Sequence, residues 1–360
     1  MSASNAAPQA PKLSRRKKFL FTLILFAIAG LLFELVLRIL QPELYALSMA
    51  ERRSHVYRDW CKRDLAADVR VHYTKSRGDG AKALDYELAT DGFGLRRSNP
   101  ETPLERNWQG APRHVIHCLG DSMTMGWGVK PEESYPEQLQ ELMGDPWLVL
   151  NLGVDGIGVR DAAERSRRLA AEFPPDAAIL FPFKNDIGED AADVRHDRRS
   201  GFRHALGSFT DALVRSLWIA QTPVVAKMAF RGGESMDVPL EVMIDYIGPD
   251  MTAETWQTLS RGAPTPAGPS VAALQRFADE CAAVGRPFLV IFAHGNMYAY
   301  SMARYCREQG IPYLPVPVGY SRHLKTDLHL NPEGCRVLAQ AVHLALMTGE
   351  GVTGPWTPLR

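Results

Sequence analysis

Residues 114–125 read His-Val-Ile-His-Cys-Leu-Gly-Asp-Ser-Met-Thr-Met. His114–Leu119 is a short apolar run, and Gly120 closes it where the chain has to turn sharply. The serine that follows is thereby delivered to the start of a helix, whose amides attract developing negative charge. The same rhythm continues downstream. Pro136–Met143 has helical spacing, Trp147–Leu152 reads as a second strand, and Val159–Glu172 as a charged amphipathic helix. Ala177–Phe183 carries almost no polar residue, as expected of a strand buried on both faces. A helix over Ser270–Val284, a strand over Pro287–Ala293, a helix over Tyr298–Gln309 and a strand over Tyr313–Val316 come next. Pro332 opens a last helix that runs to about Met347. Strands alternating with helices predict an α/β body over 113–348, with a parallel sheet covered on both faces. Residues 187–269 break the rhythm as a long insertion, and 349–360 form a C-terminal tail.

Composition narrows the class. The 360 residues are 46% hydrophobic, which excludes a disordered or collagen-like chain. Lys+Arg and Asp+Glu are 41 each, so there is no global positive field of the kind that binds nucleic acid. The charge is nonetheless uneven. Residues 1–18 hold Lys12, Arg15, Arg16, Lys17 and Lys18 without an acid and read as a basic cytoplasmic tail. Directly after it, 19–40 is apolar but for Glu34 and Arg38, which stand four apart on one helix face and can pair. As a helix this stretch is about 33 Å long, against about 30 Å of hydrocarbon. With basic residues preceding it, it predicts an uncleaved single-pass anchor in the inner (plasma) membrane, N-terminus cytoplasmic and body extracytoplasmic, that is periplasmic. A cleaved signal peptide is the competing reading; Ala46–Ala50 is a poor cleavage site for it. Residues 41–112 read as a linker and N-terminal extension, with Asp91–Arg96 as a turn entering a short strand. Five cysteines (Cys61, Cys118, Cys281, Cys306, Cys335) form neither a disulfide framework nor a zinc-ligand spacing. Cys118 and Cys335 read as buried structural thiols.

In open parallel sheets, chemistry collects at the carboxyl ends of the strands. After the first strand stand Gly120, Asp121 and Ser122; after the second, Asn151-Leu-Gly153-Val-Asp155-Gly156-Ile-Gly158; after the third, Lys184, Asn185 and Asp186. Before the last helix, Asp327 and His329 are two apart, a spacing that aims both the same way in an extended segment. These pieces supply a nucleophile, a base and oxyanion donors. Each has a plainer reading. Ser122 could cap a helix, Asn185 and Asp186 could be turn residues, Asp121 could tie its turn together, Asp327 could cap, and His329 could pack under the last helix. His294, ending another strand, is the rival base. The run Arg195–Arg199 with Arg203 and His204 reads as a solvated loop before it reads as an anion-binding surface. Trp218, Met228, Phe230, Met243 and Trp256 read as the insertion's own core, which would still be well placed to shape a substrate pocket.

Taken in order, Gly120-Asp121-Ser122, Gly156 at the end of NLGVDG, Asn185 in KND and Asp327-Leu328-His329 resemble the four blocks of the SGNH (GDSL-type) hydrolase family, and of its membrane-anchored bacterial members in particular. The resemblance implies a three-layer α/β/α flavodoxin-like domain and a serine hydrolase acting on ester bonds. It implies Ser122, Asp327 and His329 as the catalytic set, and Ser122, Gly156 and Asn185 as the oxyanion hole, with Gly153 the alternative to Gly156. On this pattern Asn185→Ala is expected to be severely slowed, and no metal or organic cofactor is required. Two positions depart from the pattern. Phe183 stands where the family often has glycine, and the last block is Asp-x-His rather than Asp-x-x-His. The expected substrate is a carboxylic ester, an O-acyl group of a cell-envelope glycan. An O-acyltransferase of extracytoplasmic polysaccharide, or a non-catalytic polysaccharide-binding envelope component, are the alternatives.

Overall fold

Five strands make the central sheet, and their order decides where its loops gather. The computed structural model describes residues 14–40, 64–76, 82–197, 240–325 and 328–359. Its first element is the helix α1 (Arg15–Leu40), on which Phe19, Phe26 and Leu31 are exposed. Among the described residues no helix is long and apolar enough to cross a membrane. Within α1, residues 16–33 open on three basic residues, and the uncharged run 19–33 would span only about 22 Å. The side chains of Glu34 and of 37–40 lie outside the described residues.

The extension is more than a linker. Strands β1 (Arg70–Ser76) and β2 (Lys82–Ala89) form an antiparallel hairpin. Tyr73 and Tyr86 stack on it at 5.1 Å, and Trp127 of the body meets both edge-on. Asp91 folds the next turn by accepting from Phe93 N and Leu95 N, and Thr90 bridges Arg96 as the turn-and-strand reading predicts. A small hairpin, β3 (Asn107–Trp108) and β4 (Ala111–Pro112), closes the extension.

The body then alternates. Strands β5 (His114–Gly120), β6 (Trp147–Asn151), β7 (Ala177–Phe181), β8 (Phe288–Phe292) and β9 (Tyr313–Pro315) pair in parallel in the order β6-β5-β7-β8-β9. This is the flavodoxin-like order, with its switch point between β5 and β7. Side chains alternate between two cores. Ile116, Cys118, Ile179, Phe181, Leu289 and Ile291 face one; Val115, Leu119, Leu180, Val290 and Phe292 face the other. Both faces are apolar, as the unbroken hydrophobic runs require.

A four-residue helix α2 (Ser122–Met125) follows β5. On the first face lie α3 (Tyr135–Met143) and α10 (Pro332–Thr348), the latter capped by Asn331 Oδ1 on Gly334 N with Pro332 at its first position. On the other lie α4 (Val159–Leu169), α8 (Pro269–Ala283) and α9 (Met297–Gln309). The insertion supplies α5 (Asp186–Asp197), α6 (Leu240–Tyr246) and α7 (Ala253–Gly262). Met243 and Trp256 are buried, and Trp256 Nε1 donates to His294 O at 2.7 Å, so both belong to the core. Trp218, Met228, Phe230, Arg198, Arg199, Arg203 and His204 lie outside the described residues, as do the side chains of 195–197. Cys118, Cys281, Cys306 and Cys335 are free and buried, and burial pushes the Cys118 and Cys335 thiols up to about 12. Cys61 is outside the described residues.

Candidate active site

Gly120 ends β5 at φ +150°, where a Cβ would stand 2.7 Å from Phe181 O and 2.4 Å from Thr124 Oγ1. Only glycine lets β5 turn this close to β7. Asp121 then caps α2 through Oδ1, which accepts from Met123 N at 2.9 Å, so its role is the turn-tying one. Gly126 stops the helix in the left-handed region at φ +83°. Ser122 is held at the base of this turn and is 5% exposed.

His329 comes from the other end of the body. Its carbonyl accepts from Leu324 N, and the next residue, Leu330, bridges His323 ahead of α10. This brings His329 Nε2 to 2.7 Å from Ser122 Oγ, although 207 positions separate the two in the chain. A hydroxyl bonded to an imidazole can give up its proton as it attacks, which is the activated-serine arrangement. Asp327, the third member of the expected set, lies outside the described residues.

The loop after β6 distinguishes its two glycines. Gly153 packs on the nucleophile turn, since a Cβ there would fall 2.1 Å from Met125 N. Its own N–H donates to Asn151 Oδ1 at 3.0 Å and is spent. Gly156, at φ +74°, has only Glu189 Oε1 nearby, 3.7 Å from where its Cβ would stand. Asn185 follows β7, and its Nδ2 donates to the same Glu189 Oε1 at 2.8 Å. Asp186 accepts from Phe183 N at 2.9 Å and starts α5. Burial, with the charges of Asp121, Asp190 and Glu189, holds its carboxyl well above the usual range. Burial also raises the Asp121 carboxyl, opposed by its bond from Met123 N–H and by His329.

His294 is engaged elsewhere. Its Nε2 lies 3.3 Å from His323 Nε2, and its ring lies against Phe181 and Phe183. His323 Nδ1 faces the Gly319 carbonyl at 2.9 Å and must carry the hydrogen there, so His294 is the donor in the pair. Burial drives the His294 pKa well below the ordinary value and brings His323 to about 4. His294 is thus a neutral core histidine.

Two buried arginines, neither singled out from sequence, fasten the loops. Arg96, fully buried, donates to the carbonyls of Met125, Gly126, Val129 and Glu87. Arg165 pairs with Asp64 at 3.0 Å and donates to Leu152 O, Gly153 O and Gly94 O. The extension therefore clamps both the Ser122 turn and the glycine loop. An arginine in a turn, or one among the many charges of an amphipathic helix, gives no local sign of such a role. Among the described residues no group of His, Cys, Asp and Glu is placed to hold a metal ion.

A family model described as GDSL-like lipase/acylhydrolase matches residues 118–337, more than half of the chain. No curated protein matches. Among solved structures, the chain is similar to a member of the lipolytic protein G-D-S-L family from Veillonella parvula DSM 2008, at 13% identity and TM-score 0.33 over 64% of this chain and 96% of that one. It is similar to the psychrotrophic esterase EstA from Pseudoalteromonas sp., at 10% identity and TM-score 0.35 over 64% of this chain and 94% of that one. It is also similar to the acetyl xylan esterase AlAXEase, at 14% identity and TM-score 0.36 over 65% of this chain and all of that one.

Proposed function

The chain belongs to the GDSL-like lipase/acylhydrolase family and is a serine ester hydrolase, and from that premise we propose that Ser122 is its nucleophile and His329 its general base. The observation that carries the reading is the 2.7 Å contact between Ser122 Oγ and His329 Nε2. As Ser122 Oγ attacks the acyl carbonyl, its proton passes to Nε2. The carbonyl oxygen becomes an oxyanion, taken up by the amides of Ser122 and Gly156 and by Asn185 Nδ2. Gly156 fills this role because the Gly153 N–H is already spent on Asn151. Collapse of the intermediate expels the alcohol, which takes the proton from His329, and leaves an acyl group on Ser122. Water, deprotonated in turn by His329, releases the acid and restores the serine. Asp327 holds the imidazole in its working tautomer.

The substrate we propose is an O-acyl group of a cell-envelope glycan. The basic cluster and apolar span of residues 12–40 support this reading, since they would tether the body at the outer face of the inner membrane, beside such polymers. The test is labelling of the purified full chain with a fluorophosphonate, the modified residue being located by mass spectrometry, with Ser122→Ala and His329→Ala as controls. Labelling at Ser122 that both substitutions abolish is the expected result. A folded chain that takes no label at Ser122 removes the nucleophile assignment.

A further inference from the structure

Glu189 is not among the residues the proposed mechanism uses, yet its carboxylate lies against two of the residues assigned to the oxyanion, Asn185 and Gly156. Asn185 and Glu189 are four apart, at the entry and in the first turn of α5. Asn185 Nδ2 donates to Glu189 Oε1 at 2.8 Å. A carboxylate only accepts, so it is the amide nitrogen of Asn185, and not its oxygen, that faces Glu189. The same Oε1 lies 3.7 Å from where a Gly156 Cβ would be, which puts one anionic oxygen between the Asn185 amide and the Gly156 turn. An oxyanion of a tetrahedral intermediate is also an anionic oxygen, held at about 2.7–3.1 Å from such donors. Glu189 therefore mimics the charge that the donors are arranged to receive.

We propose that the Glu189 side chain is a plug of the oxyanion site, seated on Asn185 in the resting enzyme and displaced when a substrate carbonyl enters. This deepens the reading of Asn185 as an oxyanion donor and rests on it. The two anions cannot share the site. Asp121, Asp186 and Asp190 already crowd it with carboxyl groups, and Glu189 adds to the charges that hold the Asp186 carboxyl above its usual range. A second negative charge beside an unmoved Glu189 would meet the same repulsion. Glu189 is only half-buried, which leaves its side chain room to rotate away from Asn185. Approach of a carbonyl then includes breaking the charge-assisted hydrogen bond to Asn185.

The experiment compares the full-length wild-type chain with Glu189→Gln and Glu189→Ala, after circular dichroism has shown that each is folded. Three quantities are read: the rate at which a fluorophosphonate labels Ser122, kcat/KM for p-nitrophenyl acetate, and the Ki of phenylboronic acid, whose tetrahedral adduct on Ser122 is anionic. In the labelling step Ser122 Oγ replaces fluoride on phosphorus, and the serine proton goes to His329. Both substitutions are expected to speed labelling and raise kcat/KM by about 10- to 100-fold, the range of one charge-assisted hydrogen bond, with Ki falling in parallel. Glu189→Gln is the telling variant, because it keeps the size and an acceptor oxygen while removing the charge. Unchanged or slower labelling in Glu189→Gln overturns the plug and makes Glu189 a residue that merely orients Asn185. If no protein, wild type included, is labelled at Ser122, the nucleophile assignment falls first and the plug with it.

Discussion

Arg96→Met tests whether the extension holds the nucleophile turn. The guanidinium is wholly buried and donates to four backbone carbonyls: Met125, Gly126 and Val129 beside Ser122, and Glu87 in β2. Methionine fills much of the same volume and donates to none of them. Met125 O keeps a 3.4 Å bond from Asn151 Nδ2 and Gly126 O keeps one of 3.4 Å from Val129 N, so two carbonyls lose their partner. At about 1–3 kcal/mol for each buried orphan, the loss is about 2–6 kcal/mol before any credit. Credit comes from no longer desolvating a guanidinium, whose pKa burial lowers here. The balance is a destabilisation of about 3 kcal/mol. In a domain of this size each kcal/mol moves Tm by about 2–4 °C, which gives a fall of about 6–12 °C. Activity should suffer beyond stability, since the loosened carbonyls belong to the turn that aims Ser122, and a misplacement of about 1 Å can cost about 100-fold. The assay is a thermal melt together with fluorophosphonate labelling at a temperature well below both melting points. Arg97→Met is the control, because Arg97 bonds Asp91 at 3.4 Å and an exposed Thr102 carbonyl and touches none of the Ser122-turn carbonyls among the described residues. A melting point for Arg96→Met within 2 °C of wild type, or an unchanged labelling rate, would refute the reasoning.

Other predictions follow from packing, titration and topology. Gly153→Ala should abolish soluble protein or lower Tm far more than Gly156→Ala, because its Cβ would lie 2.1 Å from backbone at Met125 while that of Gly156 meets only a side-chain oxygen at 3.7 Å; the reverse ranking in thermal melts would contradict the loop geometry. His117 is buried between Ser166 Oγ and Phe173 O, and burial brings its pKa to about 3. Unfolding therefore takes up a proton below about pH 6.5, and stability falls as pH falls through that window. Relative to His117→Gln, which does not titrate, wild type should lose about 2 kcal/mol between pH 7 and pH 5 in urea unfolding; a pH-independent difference would mean that the ring is protonated alike in both states. If residues 19–40 anchor the chain, the full-length protein stays with membranes through alkaline carbonate extraction and a chain lacking residues 1–40 does not. Release of the full-length protein by carbonate would end the anchor proposal.

What the sequence by itself determined is what depends on near neighbours. Unbroken apolar runs such as Ala177–Phe181 specify doubly buried strands, Pro332 marks the start of α10, and Gly120 turns the chain into Ser122; the structure puts all of these where their spacing predicts. Ser122 and His329 were legible as candidates because each sits at a strand end or before a helix, and local chemistry advertises such positions. The hydrogen-bond partners of buried charges are another matter. Arg96, Arg165 and Glu189 look in the sequence like ordinary solvent-facing residues, and their burial arises only once the β1–β2 hairpin packs on Trp127, the switch point draws the loops after β5, β6 and β7 together, and α5 lays its first turn across Asn185. Likewise, nothing local separates Gly153 from Gly156, or His294 from His329. Which glycine packs against the Ser122 turn and which histidine meets the serine depend on contacts between segments far apart in the chain, and hydrophobic period and turn chemistry carry no information about those.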